Sequence, residues 1–289
     1  MTIARSIAAC LGAAALAVLV PVGAASARPE LDKPDPAVQK RLEEALKKQD
    51  AMVAAALDKL EPERPGVRDI YFIGVAGWGD QDVFRLETRS VRKLFEDSFG
   101  AQGHALSLVN HRATLTQAPL ATRETIEAAI MGVAAKMDIE EDVLVLFMTS
   151  HGAEWDGFGL TLNGNDFGSV YTAQLARILG AARVRNRIVF VSSCYSGQFV
   201  PALAEEHTLL ITSSASDRNS FGCSTDAEWT WFGEAYFRDA LPRHLNFIRA
   251  FDDAKKKIAE REKAEKFTPS VPQIRVGAKM RQVLKEMGM

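Results

Sequence analysis

Val143-Leu144-Val145-Leu146-Phe147-Met148 leads without a polar break into Thr149-Ser150-His151-Gly152, and Arg187-Ile188-Val189-Phe190-Val191 leads into Ser192-Ser193-Cys194-Tyr195-Ser196-Gly197. Both runs are apolar without alternation and rich in branched side chains, as a parallel strand covered on both faces reads. Each is therefore expected as a central strand of one sheet. Open α/β sheets take their ligands in the crevice beyond the carboxyl ends of the strands, and His151 and Cys194 both stand there. A thiol becomes a good nucleophile when a base is close by, and an imidazole is the usual base near neutral pH.

Working outward, strand-like and helix-like stretches alternate. Residues 69–76 read as the first core strand, with a loop over 77–80 at its carboxyl end. A helix is expected over 82–99 with Val83, Leu86, Val91, Leu94 and Phe95 inward, a strand over 105–109, and a helix over 121–137 with Thr122 as N-cap. Residues 153–168, rich in Gly and Asn, have the composition of a hairpin or turn-rich excursion next to His151. A helix over 171–180 ending at a glycine follows, and beyond Cys194 a short helix over 198–206 and a strand over 207–214. The aromatic residues of 228–241 read as mostly core. Such alternation implies an α/β fold, a mainly parallel sheet with helices on both faces.

Hydrophobic-Ser-His-Gly followed by hydrophobic-Ser-Ser-Cys-x-Ser-Gly resembles the legumain family of cysteine peptidases, relatives of the caspases. The likeness runs over residues 69–239 and includes Thr212-Ser213-Ser214-Ala215, Arg218-Asn219-Ser220-Phe221-Gly222-Cys223 and Phe232-Gly233-Glu234, which look like the segments that wall the family's substrate cleft. The resemblance implies a caspase-like three-layer sandwich, with Cys194 as nucleophile, His151 handling protons, and the N–H groups of Gly152 and Cys194 as the oxyanion hole. It implies cleavage after Asn or Asp, read by Arg85, Ser192, Ser220 and Glu234. Leu86 and Ser192 depart from the family pattern, which has His and an acidic residue there, so a different residue preference is open. A peptide-binding pseudo-peptidase and a transamidase of the same fold are the alternatives.

The ends of the chain carry other signals. Residues 1–27 have one basic residue, an apolar stretch and Ala25-Ser26-Ala27, the pattern of a cleaved targeting segment. They imply an exported protein, periplasmic or secreted, or membrane-anchored if the segment stays attached. Residues 28–66 read as a linker and one N-terminal amphipathic helix over 37–60 that packs on the domain, with a cleft-covering propeptide as the second reading. Residues 67–245 are expected as the catalytic domain and 246–289 as a C-terminal helical extension. With 35 basic and 37 acidic residues, net charge -2, no broad field draws nucleic acid or an anionic surface. The expected partner is a peptide or protein, with no cofactor and no metal; the oligomeric state is not specified. Cys194 and Cys223, which remain after export, are expected as free thiols, with a base near Cys194 only.

Overall fold

The computed structural model describes Leu31, residues 33–155 and residues 157–289; the expected targeting segment lies outside the described residues. Nine strands are formed among them: β1 (Ile70–Ala76), β2 (Ala105–Val109), β3 (Val143–Thr149), β4 (Gly152–Ala153), β5 (Gly157–Leu162), β6 (Asn165–Val170), β7 (Asn186–Ser192), β8 (Thr208–Thr212) and β9 (Gln273–Val276). The unbroken apolar runs of β1, β3 and β7 are buried at every residue. They lie side by side in a six-stranded sheet of order β2-β1-β3-β7-β8-β9, parallel except for β9. In that register Thr149 faces Ser192, so His151 and Cys194 each follow two residues beyond a matched pair.

Because side chains alternate along a strand, each core strand feeds two layers. Tyr71, Ile73, Leu144, Leu146 and Val189 face one layer, with residues of helices α4 (Arg123–Ala134) and α5 (Thr172–Ala182), the fourth and fifth in chain order. Phe72, Val145, Phe147, Ile188 and Phe190 face the other, with α3 (Asp82–Ser98) and the helix Phe247–Glu265. The result is the expected three-layer arrangement. Thr122 caps α4 through a reciprocal pair of hydrogen bonds with Thr125, and residues 153–168 form the expected excursion, an antiparallel β4-β5-β6 sheet.

Several expectations are corrected. The single N-terminal helix is two, α1 (Pro36–Leu46) and α2 (Gln49–Asp58). The break is stabilised by the buried Gln49, whose amide donates to the Ala45 carbonyl at 2.9 Å and accepts the Leu120 N–H at 2.7 Å. Helix α5 runs past Gly180 and ends at Arg183, in the left-handed conformation with φ 56°. The helix expected after Cys194 is a 3₁₀ turn (Ser196–Phe199) and a single α-turn (Val200–Leu203). Residues 246–289 are not among these corrections: they form the helix Phe247–Glu265, with Phe247 and Phe251 buried, and the strand β9, which pairs with β8.

Phe190 is fully buried among Phe95, Tyr236, Phe237 and Phe247. Phe190→Ala is expected to destabilise the fold by about 3–5 kcal/mol. Trp155, 88% exposed, should change stability little when replaced by Ala. Denaturant unfolding of the two variants checks the contrast.

Candidate active site

The two motif segments are locked where they leave the sheet. Ser150 donates its backbone N–H to Ser192 O at 3.1 Å and its hydroxyl to Gly159 O at 2.7 Å. The chain then turns into β4, and Gly152 passes so close to the second segment that a Cβ there would lie 2.3 Å from the Cys194 carbonyl oxygen. Only glycine fits without a shift. On the other side, the hydroxyls of Ser213 and Ser214 both donate to Ser193 O at 3.0 Å, and Ser196 N–H donates to Ser214 Oγ at 3.1 Å. The Thr212-Ser213-Ser214 run thus clamps the turn that presents Cys194. Tyr195, next in the chain, is left-handed at φ 57° and donates its N–H to Arg218 O at 2.8 Å.

His151 is buried against the edges of Trp78 and Phe84, with ring centroids 4.8 and 5.2 Å away. Its Nε2 lies 2.6 Å from Gln81 Oε1. An amide oxygen only accepts, so Nε2 carries the proton and Nδ1 presents its lone pair. Burial pushes the imidazole pKa down to about 4, so it is a neutral base at pH 7. Cys194 Sγ receives the Ser220 N–H at 3.3 Å and lies 3.4 Å from Ser220 O, to which the thiol donates. Burial pushes the Cys194 thiol up and the Ser220 N–H opposes that shift. At rest the pair is a neutral thiol and a neutral imidazole.

Cys223 is closer to the base than expected. Both cysteines are free and half-buried, as the sequence suggests, yet His151 Nδ1 lies 3.9 Å from Cys223 Sγ. Phe84, His151, Ser192, Cys194, Ser220 and Cys223 line one cavity of about 10 Å³. Burial, and after it the charge of Cys194, pushes the Cys223 thiol up to about 11. Cys194 therefore differs from Cys223 less by a neighbouring base than by its N–H donor.

Of the residues expected to read the substrate, Ser192 and Ser220 line this cavity. Arg85 sits one residue beyond Phe84, half-buried, with its guanidinium on Asp82 at 2.9 Å. Glu234 lies elsewhere, in a 260 Å³ cavity with Trp229 and Trp231, its carboxylate held by Arg238 at 2.6 Å and Arg261 at 2.7 Å. A larger cavity, of about 670 Å³, lies by the amino end of β7, where Arg185 pairs with Glu140 at 2.5 Å and Arg187 with Glu205. It holds no cysteine and no site histidine. Among the described residues, no group of three His, Cys, Asp or Glu side chains is placed to hold a metal ion.

Two site residues carry no motif in the sequence. Gln81 is one; its signal was positional, since the loop after β1 must emerge beside β3. Glu87 is the other, fully buried, with no cation paired to it among the described residues. Its carboxyl accepts the hydroxyl of Thr149 at 2.5 Å, and the hydroxyl and N–H of Thr230 at 2.7 and 3.2 Å. Burial pushes its pKa up. It ties the end of β3 to the segment that follows Cys223.

The sequence model of the Peptidase C13 family matches residues 128–282, more than half of the chain and including both motifs. The chain belongs to the Peptidase C13 family. This is the legumain family, so the protein is a cysteine-type peptidase. The matched stretch begins after Gln81 and Arg85. Among solved structures, caspase-1 from Spodoptera frugiperda superimposes with a TM-score of 0.50 over 75% of this chain and 92% of that one, at 14% identity. That likeness shows the fold that this C13 peptidase shares with a caspase. No curated protein sequence matches the chain.

The depressed pKa of His151 fixes the sign of two pH effects. The unfolded histidine takes up a proton near pH 6.5 and the folded one near 4. Its contribution to stability is full above pH 6.5, falls as the pH drops below that value, and is lost by about pH 4. Gln81→Glu places a carboxylate on Nε2 and stabilises the imidazolium, so the acid limb of Cys194 alkylation should move to higher pH. Iodoacetamide labelling across pH 4–9, with peptide mapping, checks this and should show Cys194 reacting before Cys223.

Proposed function

We propose that the chain is an endopeptidase working through a Cys194–His151 dyad. Support comes from one observation above all: Gly152 passes so close to the Cys194 backbone that no side chain fits between them, and in this reading the N–H groups of Gly152 and Cys194 serve together as donors. Two such donors suit the oxyanion of a tetrahedral intermediate, and one of them is worth about 3 kcal/mol in the transition state. Gln81, holding Nε2, leaves His151 Nδ1 to take protons.

In the reaction, Cys194 Sγ attacks the carbonyl carbon of the scissile bond as His151 Nδ1 takes the thiol proton. The N–H groups of Gly152 and Cys194 receive the oxyanion. The imidazolium then gives its proton to the departing amine nitrogen as the C–N bond breaks, leaving a thioester. Water, losing a proton to Nδ1, attacks the thioester and frees the acid and the Cys194 thiol. A neutral resting pair suits this sequence, because the proton moves only as the new bond forms.

The side chain before the scissile bond is read, in this proposal, by Arg85 with Ser192 and Ser220. A guanidinium offers donors and a hydroxyl offers both donor and acceptor, a set that suits Asn, and Asp next. Glu234, already neutralised by two arginines, acts on this preference from further out.

Incubation with a peptide library, read by mass spectrometry, tests the proposal. The intact chain should cut internal bonds, while Cys194→Ala and His151→Ala, folded by circular dichroism, should cut none above background. Full cleavage by Cys194→Ala would end the reading. Arg85→Ala should change which bonds are cut more than it changes the labelling rate of Cys194 by iodoacetamide.

A further inference from the structure

The loop bearing Gln81 is anchored on every side. Gly77 O accepts the N–H of Thr161 at 2.8 Å and the Asn110 amide at 2.9 Å, and Gly79 N–H donates to Thr161 O at 2.9 Å. Both neighbours of Gln81 are aspartates that point elsewhere. Asp82 accepts from His111 at 2.8 Å and Arg85 at 2.9 Å. Asp80 takes the Asn163 N–H at 2.7 Å and lies 3.5 Å from that of Gly164.

Asn163 and Gly164 are the two-residue turn between β5 and β6, with φ of 54° and 73°. Asn-Gly turns of this kind usually face water. Here Asn163 is 7% exposed, because the N-terminal segment covers it. Its Oδ1 accepts the Asp35 N–H at 2.9 Å, and its Nδ2 donates to Asp35 O at 3.1 Å and to Gln39 Oε1 at 3.3 Å. Asp35 is the N-cap of α1, and α1 is seated by Val38, Leu42 and Ala45 on Leu115, Leu120 and Leu162.

We propose that residues 35–46 are a brace for the catalytic base, acting through Asn163 and Asp80 on Gln81 and so on His151. Asp80 and Asn163 are positioning residues, and the N-terminal segment supports activity from outside the cleft. The physical reason is entropic: glutamine has three rotors to immobilise, and its amide must stay within 2.6 Å of Nε2. Fixing the backbone on both sides of Gln81 removes the freedom that would let the imidazole swing away from Cys194. This inference rests on the assignment of Gln81 as the partner of His151.

A double-mutant cycle in the full chain separates the two claims. Asp80→Ala, Gln81→Ala and the pair are compared by the rate of Cys194 alkylation with iodoacetamide at pH 7 and by kcat and KM on a cleaved peptide. Gln81→Ala should lower kcat by an order of magnitude or more. Asp80→Ala should lower it about tenfold with KM within twofold, and should add nothing once Gln81 is gone. Asn163→Gly keeps the turn conformation and the N–H to Asp80 but drops the bonds to Asp35 and Gln39. It should lower kcat several-fold, also only when Gln81 is present, and it decides the matter should Asp80→Ala fail to fold. If Gln81→Ala leaves kcat unchanged, the assignment of Gln81 is wrong. If Gln81→Ala lowers kcat while the other effects are absent, or persist undiminished without Gln81, the brace is wrong and the assignment stands.

Discussion

The parallel register between β3 and β7 is the constraint on which the rest depends. Pairing Thr149 with Ser192 starts the segments that bear His151 and Cys194 from the same level at the edge of the sheet. A shift of one residue would turn every side chain of a strand to the opposite face, exchanging the two core layers. With seven consecutive buried residues on each strand, that exchange is strongly opposed by packing. The same apolar burial that stabilises the sheet thus brings together Cys194 and His151, the proposed nucleophile and base, from segments more than forty residues apart.

Burial also sets the charge state of the site. His151, Cys194, Cys223 and Glu87 are each pushed toward their neutral forms by loss of water. What stabilises these groups is dipoles in place of counter-ions: the Gln81 amide, the Ser220 N–H, and the hydroxyls of Thr149 and Thr230. Preorganised dipoles of this kind serve a reaction in which charge appears only transiently. Glu87 uses its bonds differently, holding the segment around Thr230 to Thr149, the last residue of β3.

Much of this was legible in the sequence, because periodicity and strand-end chemistry are local. The unbroken runs of 143–148 and 187–191 marked the central strands, and Thr122 marked a helix start. Ser150-His151-Gly152 and Cys194 marked two segments that the fold brings together at one cavity. Three things were hidden, each for a long-range reason. Gln81 has no motif and becomes a site residue only when β1 lies beside β3. The 37–60 stretch has continuous helical spacing, and its break is stabilised by a bond that the distant Leu120 N–H donates to Gln49. Glu234 carries the right charge in the right order, but the arginines that occupy it come from its own helical turn and from residue 261. Cys223 was legible as a free thiol, while its contact with His151 needed the fold of the loop that follows Ser220.

The central claim is that Cys194 carries the acyl group of the substrate, and trapping that intermediate tests it most directly. The chain is mixed with an activated peptidyl ester, quenched in acid within milliseconds to seconds, digested and mapped by mass spectrometry. The account predicts an acyl thioester on the peptide containing Cys194, absent in Cys194→Ala and slow to form in His151→Ala. An adduct confined to Cys223, or ester turnover with no adduct on Cys194, would contradict it.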